Sequence, residues 1–409
     1  MAVTLRSLEV AVPDTVLVQD EVRDLFAAQP ELSGLAARLV SAAFNASGIK
    51  RRYTVLEEMD PSRVAEDPVF FDARTQQILN PSTGTRNRIY AREATELYIR
   101  AAARALAACE DVEAADITHV ITVSCTGFFS PGPDYKIVRA LGLSPAVGRF
   151  HLGFMGCFAA FPALRQAKSI CEAEPDAVVL VVSAELCTLH VRTSNDQDTI
   201  LGSSLFGDGA AAAIVTGRDL DSTGPVLRLD HFATVLTPVG EESMTWNIGD
   251  NGFEMVLGTY VPHIIDDHII EALAPLLAGD PSLQGRQYSQ IEHWAIHPGG
   301  RSILDKVESK LHLSPEQLTP SRETLRDYGN MSSATVLFVL KHILDQPSSG
   351  AGVEERICGM AFGPGLTVES ALMTKVDRSR RRLATADART EAEPTSGARG
   401  VDAEAVRPG

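Results

Sequence analysis

The chain has 409 residues, of which 44% are hydrophobic, and a formal net charge of −16 at pH 7. This length is sufficient for a large buried core, and the negative charge excludes a protein that binds nucleic acid through a basic surface. No apolar run approaches the roughly 20 residues of a membrane span, and the N-terminus lacks a basic segment followed by an apolar one. We therefore expect a cytoplasmic globular protein with no membrane span and no nucleic-acid partner.

The cysteines favour a reducing compartment. Six of them lie at positions 109, 125, 157, 171, 187 and 358. None belongs to a Cys-x-x-Cys pair, and the spacings match neither a zinc site nor a small disulfide scaffold. We expect reduced thiols and predict no metal site from them.

Residues 1–60 are predicted to hold a short strand at Val3–Val12 and an amphipathic helix at Glu21–Ser47. The basic run Lys50, Arg51 and Arg52 follows. Three adjacent cations can clamp a phosphate, and a solvated charged turn explains the same run equally well. The residues alone leave both interpretations open.

The next elements predict a layered α/β fold. Residues 88–109 carry apolar or small residues at the spacing of a packed helix. A strand-length apolar run begins at Thr118 and ends in a loop rich in proline and glycine, 128–133, and a second such run covers Ala177–Ser183. Unbroken β-branched runs suit a sheet that is buried on both faces.

Cys157 directly follows a glycine at the start of the apolar helix between these two strands. Unpaired N–H groups and the positive end of the helix dipole favour a thiolate there, so we predict a lowered pKa and raised nucleophilicity. Pro162 agrees with a helix start, where proline costs little. A small buried core cysteine explains the same residues, so a catalytic Cys157 needs partners elsewhere in the chain.

Gly207 and Gly209 superficially match a dinucleotide-binding fingerprint. The fingerprint requires a strand before the glycines and a helix after them, whereas these glycines precede the strand-like Ala-Ile-Val-Thr, so we reject a nucleotide site. The elements predicted downstream are a strand at Val226–Ala233, a loop with Trp246 and Phe253, and a helix at Val261–Leu277.

His293 and His297 are four residues apart, which on a helix would let them share a metal ion. The flanking residues and the Pro-Gly-Gly stop predict a strand instead, in which such positions lie about 13 Å apart. We therefore reject a zinc site. His297 comes at a strand end before a glycine turn, a usual position for a catalytic side chain.

Asn330 lies just ahead of a further helix, which Ser332 or Ser333 can cap. On its own, Asn330 suits a cap or a turn. Two strand-like runs flank the turn 363–365, and from about Val376 the chain becomes polar, so we predict a disordered tail. The cysteine, the histidine and the asparagine each arise at a turn, which allows them to meet at one end of a sheet.

Short motifs surround these residues. They are Gly156-Cys157-Phe158-Ala159, Leu205-Phe206-Gly207-Asp208-Gly209-Ala210-Ala211, His297-Pro298-Gly299-Gly300, Gly329-Asn330-Met331-Ser332-Ser333-Ala334 and Phe362-Gly363-Pro364-Gly365-Leu366-Thr367-Val368-Glu369. In this order they make the chain resemble the type III polyketide synthases, the chalcone-synthase-like branch of the thiolase-fold condensing enzymes, over about residues 1–375.

The resemblance implies an α/β, thiolase-like, pseudo-duplicated αβαβα layered fold and a homodimer. It divides the chain into an N-terminal half, 1–220, with the nucleophile, and a C-terminal half, 221–375, with the histidine and the asparagine. The polar tail would then be 376–409.

The resemblance also carries the nucleophile onto Cys157 and the two oxyanion-facing donors onto His297 and Asn330. A thiolate paired with imidazolium would hold the acyl group of an acyl-CoA as a thioester. Malonyl-CoA would lose carbon dioxide, and the two donors would stabilise the enolate, which attacks the acyl group. The expected substrates are therefore acyl-CoA and malonyl-CoA, with no permanently bound cofactor.

Cavity positions follow by the same comparison. Phe206 matches the first aromatic gate of the family, the second gate falls on Met255, and Trp246 replaces a small residue. The last two departures from the plant pattern argue against an aromatic starter. The remaining matches are Cys125, Thr126, Cys187, His190 and Ser332 at the cavity wall, Ser130 on the loop offered across the dimer interface, and Lys50 with Arg51 at the CoA phosphate.

The run 150–164 resembles bacterial members that make alkylpyrones or alkylresorcinols from fatty acyl starters. We therefore expect a medium- or long-chain acyl-CoA starter with malonyl-CoA extenders. A β-ketoacyl-carrier-protein synthase III, which condenses once onto a carrier protein, is the nearest alternative. A Cys-His-Asn thioester hydrolase and a non-catalytic binding protein are the others.

Overall fold

The computed structural model describes residues 2–60, 62–219, 224–283, 285–348 and 353–377. The strands are β1 Thr4–Ala11, β2 Thr15–Val18, β3 Arg51–Thr54, β4 Phe71–Asp72, β5 Gln77–Ile78, β6 His119–Ser124, β7 Gly148–Gly153, β8 Val178–Leu186, β9 Asp208–Thr216, β10 Pro225–Leu236, β11 Met244–Gly249, β12 Gly252–Leu257, β13 His293–Ile296, β14 Glu354–Gly363 and β15 Thr367–Asp377. The helices are α1 Gln19–Ala27, α2 Gly34–Ala46, α3 Thr83–Ala107, α4 Pro133–Ala140, α5 Ala160–Ala173, α6 Gln197–Leu205, α7 Val261–Ala278, α8 Arg301–Leu311, α9 Thr319–Tyr328 and α10 Thr335–Asp345.

The strand pairing repeats between the two halves of the chain. In the first half β6 runs parallel to β8, β8 antiparallel to β9, and β9 antiparallel to β1. In the second half β13 runs parallel to β14, β14 antiparallel to β15, and β15 antiparallel to β10. Pairing of β1 with β10 joins the halves into one nine-stranded sheet, with β7 at one end and β13 at the other.

The helices form three layers around these strands. Helices α5 and α10 share one apolar cluster with strands of both halves, so they lie between them. Helix α3 covers the outer face of the first half, and α7 with α8 covers the outer face of the second. The layer order is therefore αβαβα, which confirms the predicted fold class.

Two predicted elements differ from the structure. The single helix predicted at Glu21–Ser47 is two helices, α1 and α2, because the chain turns between them and the side chain of Ser33 caps the second by accepting a hydrogen bond from the N–H of Ala36. The predicted loop around Trp246 and Phe253 is a hairpin of β11 and β12. Strand β15 continues to Asp377, and the rest of the predicted tail lies outside the described residues.

In the described ranges, no helix combines the length and the apolar character that crossing a membrane requires.

Candidate active site

Cys157, His297 and Asn330 line one cavity of about 630 Å³, whose surface is almost entirely apolar. The three residues come from different elements: the turn before α5, the end of β13, and the segment before α10. The sequence-predicted set is therefore brought together at a single site. Their catalytic roles remain predictions.

The turn that presents Cys157 requires a glycine. Gly156 has a φ of +83°, a conformation that residues with a Cβ rarely adopt. A Cβ at this position would also lie 2.6 Å from the ring of Pro364. The turn before the nucleophile thus packs directly against the Gly363–Gly365 turn of the other half.

The predicted low pKa of Cys157 is wrong for the protein without substrate. Burial raises the pKa of this thiol to about 11, and the nearby Glu185 carboxylate raises it further. Hydrogen bonds from Ser332 and Asn330 act in the opposite direction but are weaker than the effect of burial. Helix α5 begins at Ala160, so Cys157 lies just ahead of the first turn, and burial decides the pKa of its thiol.

His297 directly follows β13, and its main-chain N–H donates to the carbonyl of Met360 at 2.8 Å. Its ring is buried, and neither ring nitrogen has a hydrogen-bond partner among the described residues. Burial lowers its pKa to about 3, so the imidazole is neutral at physiological pH. Such a ring is available to hydrogen-bond a substrate oxygen or to accept a proton.

Asn330 is held by both its main chain and its side chain. Its N–H donates to the carbonyl of Leu205 at 2.9 Å, and its carbonyl accepts from the N–H of Gly207 at 3.0 Å. Its side-chain Nδ2 donates to the carbonyl of Gly299 at 3.3 Å, and its Oδ1 accepts from the N–H of Ser332 at 2.9 Å. These bonds fix the amide group beside Cys157 and close to the turn that carries His297.

The predicted capping of α10 by Ser332 or Ser333 is wrong. The Ser332 hydroxyl lies 3.2 Å from the thiol of Cys125, and the Ser333 hydroxyl donates to Glu185. Thr335 instead accepts a hydrogen bond from the N–H of Met331 at 2.8 Å. Both serines are therefore turned toward the site and away from the helix end.

Most of the predicted cavity residues lie on this cavity, and two do not. His190 lies behind it, in an adjacent chamber, because its ring packs against the hairpin and not into the cavity. Ser130 is exposed on the loop before α4. The predicted residues that line the cavity are Phe206, Met255, Cys125, Thr126, Cys187, Trp246 and Ser332, and those that sequence reasoning missed are Met244, Thr245, Leu257, Ile303, Phe362 and Pro364.

The basic run divides into exposed and buried members. Lys50 and Arg51 are exposed, as a phosphate contact requires. Arg52 is 1% exposed and donates from Nη1 to the carbonyls of Ser203 at 2.9 Å and Phe206 at 2.6 Å. The suggested clamp of three cations is therefore wrong, since Arg52 holds the chain around Phe206.

Glu185 is a site residue that sequence reasoning missed. It is fully buried at the end of β8, and its carboxylate accepts from the hydroxyls of Ser124 at 3.0 Å and Thr126 at 2.8 Å and from the N–H of Cys125 at 3.0 Å. A fourth bond comes from Ser333. A single carboxylate within the apolar run 178–186 was the available indication, because buried charges occur only where several donors meet them.

No group of three or more His, Cys, Asp or Glu side chains in the described ranges is arranged to hold a metal ion.

Similarity to known proteins covers both halves of the chain. The N-terminal domain of the chalcone and stilbene synthases matches residues 2–219, and the C-terminal domain of the same family matches residues 229–377. Bisdemethoxycurcumin synthase of Oryza sativa subsp. japonica is 38% identical over 337 residues, which cover 80% of this chain and 80% of that protein.

Solved structures share the whole architecture. The C-terminal type III polyketide synthase domain of Steely1, a type I/III hybrid from Dictyostelium, superposes with a TM-score of 0.82 at 27% identity and covers 92% of this chain and 100% of that one. PKS-I of the brown alga Ectocarpus siliculosus superposes with a TM-score of 0.82 at 26% identity, and the match covers 92% of this chain and 98% of that one. A type III pentaketide synthase from Neurospora crassa superposes with a TM-score of 0.79 at 26% identity, and the match covers 91% of this chain and 99% of that one.

Proposed function

This chain belongs to the chalcone and stilbene synthase family, the type III polyketide synthases, and from that premise we propose that it extends an acyl-CoA starter held as a thioester on Cys157. Enzymes of this family are acyltransferases that use CoA thioesters and need no permanently bound cofactor. The proposed reaction is an iterative decarboxylative Claisen condensation with malonyl-CoA, followed by cyclisation. The observation that carries it is the meeting of Cys157, His297 and Asn330 on one apolar cavity.

Acylation is the first proposed step. Burial favours the neutral forms of both Cys157 and His297, so the thiol proton passes to the imidazole as sulfur attacks the thioester carbonyl. The C–S bond to CoA breaks, and His297 returns the proton to the departing CoA thiolate. The acyl group is then held on Cys157 with both side chains neutral again.

Extension is the second proposed step. Malonyl-CoA loses carbon dioxide, and the electron pair of the broken C–C bond becomes an enolate whose oxygen accepts hydrogen bonds from the side-chain amide of Asn330 and from the ring N–H of neutral His297. The enolate carbon attacks the acyl carbonyl, and Cys157 leaves as a thiolate that takes up a proton from water to regenerate the thiol. The chain, longer by one two-carbon unit, now belongs to CoA and can reload Cys157.

The starter is proposed to be a medium- or long-chain fatty acyl group, and the product an alkylpyrone or alkylresorcinol. The apolar cavity wall and the replacement of the second aromatic gate by Met255 support this choice. Similarity to the bacterial members of the family remains a prediction, as does the division into halves at residue 220.

We propose a homodimer formed along β7. This strand ends the sheet in the described part of the chain, and it exposes Phe150 at 42%, with Phe128 at 41% and Tyr135 at 40% nearby. An uncovered apolar sheet edge favours pairing with a second copy. Ser130 lies on the loop beside it. A cytoplasmic location is proposed from the six cysteines, all of which are free thiols.

The test is product analysis by mass spectrometry after incubation of the purified protein with malonyl-CoA and hexanoyl-, octanoyl- or dodecanoyl-CoA. We expect products with several extender units and an acyl adduct on Cys157, and neither with Cys157→Ala. A single condensation that requires acyl carrier protein would support the synthase III alternative. Release of free acid without malonyl-CoA would support the hydrolase.

A further inference from the structure

A pocket of about 410 Å³ lies in the first half of the chain, apart from the reaction cavity. Its wall is formed by β2, α1, β3, the pair β4–β5 and the turn after β8, and it is named here the Arg52 pocket after its charged residue. It shares no described lining residue with the reaction cavity. A volume of this size falls within the range of small-molecule sites, about 300–1,000 Å³.

The wall of the Arg52 pocket is largely apolar. The side chains that form most of it are Leu17, Val22, Phe26, Leu56, Phe70 and Ile78. All of these except the half-buried Ile78 are buried. Since apolar surface of this kind binds apolar surface, a ligand of this pocket needs an apolar body.

Arg52 brings a charge into this apolar wall. It is 1% exposed, and burial lowers its pKa to about 10, so the guanidinium remains charged at neutral pH. Its two hydrogen bonds to described residues both come from Nη1, which donates to the carbonyls of Ser203 and Phe206. Its Nε is buried and has no hydrogen-bond partner in the described part of the chain.

The edge of Arg52 formed by Nε and Nη2 therefore carries no hydrogen bond to a described residue. The N–H groups along one edge of a guanidinium match the two oxygens of a carboxylate. A buried donor without an acceptor is unfavourable, and a charge-assisted hydrogen bond is strengthened by apolar surroundings. The edge thus favours an anion that presents two neighbouring oxygens.

The two hydroxyls in the wall are already used. Thr188 donates from Oγ1 to Asp208 at 2.7 Å, and the Thr54 hydroxyl lies 2.7 Å from that of Thr188. Because the hydrogen of Thr188 points to Asp208, Thr54 must be the donor between the two hydroxyls. Among the described lining side chains, the guanidinium is then the group left to donate to a ligand. One carboxylate suits it better than a phosphate, which needs more donors.

The buried Asp208 lies near Arg52, and each raises or lowers the pKa of the other in the direction that favours charge. Its oxygens accept from the N–H of Val55 at 2.9 Å and from the N–H of Thr188 at 2.8 Å. Asp208 does not hydrogen-bond to Arg52 in the described structure, so it leaves the Nε–Nη2 edge open. Since the two charges offset each other, hydrogen bonds and apolar contact must carry the binding of a ligand.

We propose that the Arg52 pocket binds a medium-chain fatty acid, with its carboxylate on the Nε–Nη2 edge of Arg52 and its tail along the apolar wall. This site goes beyond the proposed condensation, because it needs neither CoA nor Cys157. It adjoins the reaction cavity without being part of it: Arg52 binds the carbonyl of Phe206, and Phe206 also lines the cavity.

The test is calorimetric titration of the purified full-length chain with sodium octanoate and with octanol, which has the same tail and no carboxylate. We expect one molar equivalent of octanoate to bind, with an affinity at least about tenfold higher than that of octanol, because only the acid can use the guanidinium edge. The absence of saturable octanoate binding, or equal affinities for the two compounds, would overturn the proposal.

Three tryptophan variants locate the bound acid. Ile78→Trp fills the Arg52 pocket from a half-buried position on β5 and should weaken octanoate binding by about tenfold or more. Val16→Trp is the matched control, since Val16 is 46% exposed and points away from its neighbour Leu17 on β2. Met255→Trp narrows the reaction cavity and should leave octanoate binding unchanged. Binding that persists in Ile78→Trp, or that is lost in Met255→Trp, would overturn the assignment.

A further measurement uses the wild-type chain and does not depend on how a variant folds. With ¹³C-labelled isoleucine methyl groups, the δ1 methyl of Ile78 should show a nuclear Overhauser contact to bound octanoate. Ile303, which lines the reaction cavity, is the internal reference and should show none. The absence of a contact at Ile78 would overturn the proposal. Because neither experiment uses malonyl-CoA, failure of the proposed condensation would leave both results standing.

Discussion

The hydroxyl of Ser332 lies 3.2 Å from the thiol sulfur of Cys125, and the same hydroxyl acts to lower the pKa of the Cys157 thiol. One side chain therefore connects the candidate nucleophile with a second cavity thiol. Ser332 adopts a φ of +45°, in the left-handed region that costs a residue with a Cβ about 1 kcal/mol or more. This backbone strain is the kind that accumulates at functional sites.

Removal of the Ser332 hydroxyl should make Cys157 less reactive. The bond from Ser332 lowers the Cys157 pKa, so Ser332→Gly should raise that pKa and slow alkylation of Cys157 by iodoacetamide at pH 8 by about 5- to 10-fold. Glycine keeps the positive φ without strain, whereas Ser332→Ala should lose reactivity and also stability. Peptide mapping identifies the alkylated cysteine, and the control is Cys171→Ala, which removes a buried thiol on α5. Alkylation of Ser332→Gly at the wild-type rate would contradict the assignment.

Acid should destabilise the protein through two buried histidines. Burial lowers the pKa of both His190 and His297 to about 3, below the value of about 6.5 in an unfolded chain. Each group therefore contributes stability that is fully present above pH 6.5 and is lost as the pH falls toward 3, by about 1.4 kcal/mol per pH unit.

The urea unfolding free energy at pH 6.5 and pH 5 measures this effect. Between pH 6.5 and pH 5, the free energy of unfolding of His190→Gln should fall by about 2 kcal/mol less than that of the wild type, because the variant lacks the buried imidazole that takes up a proton on unfolding. His312→Asn is the control: this histidine is exposed at the end of α8 with a φ of +53°, which asparagine tolerates. Equal losses in His190→Gln and the wild type would show that His190 does not titrate in this range.

The three consecutive cations of the basic run are expected to differ in role, since Lys50 and Arg51 are exposed and Arg52 is buried. If Lys50 and Arg51 contact the CoA phosphate, Lys50→Ala with Arg51→Ala should raise KM for CoA thioesters by about tenfold, leave kcat nearly unchanged, and lose its effect in high salt. Arg52→Met should instead destabilise the fold, because two buried carbonyls lose their donor. Arg38→Ala, an exposed cation on α2, is the control for net charge. An unchanged KM in the double variant would remove the two residues from the CoA site.

What the sequence predicted correctly was carried by local patterns. Cys157, His297 and Asn330 each follow or precede a helix or strand with a clear hydrophobic pattern, so the sequence predicts that they lie at turns. The motifs around them indicate that the three side chains meet at one site. The pKa of Cys157 could not be predicted in the same way, because it depends on burial by residues of the other half, such as Pro364 and Phe362.

The hairpin was missed for a related reason. Trp246, Phe253 and Met255 lie in two short segments that flank a turn with a glycine on each side. The sequence of such segments predicts a loop unless the surface against which they pack is known. Their partner surface is provided by His190 and Cys125, more than 50 positions away in the chain. Long-range contacts of this kind leave no periodic pattern in the sequence.

The final prediction concerns the glycine before the nucleophile. Gly156→Ala would place a Cβ 2.6 Å from Pro364 and force a φ of +83° on an alanine. We expect a loss of about 3 kcal/mol in the free energy of unfolding and a shift of the Cys157 turn away from His297 and Asn330, with acylation lost. Gly34→Ala is the matched control: it begins α2 with nothing within 4 Å of the new Cβ, and it should stabilise the protein by about 0.5 kcal/mol. Thermal unfolding and intact-protein mass spectrometry with octanoyl-CoA measure both effects, and wild-type acylation by Gly156→Ala would show that the turn can relax without disturbing the site.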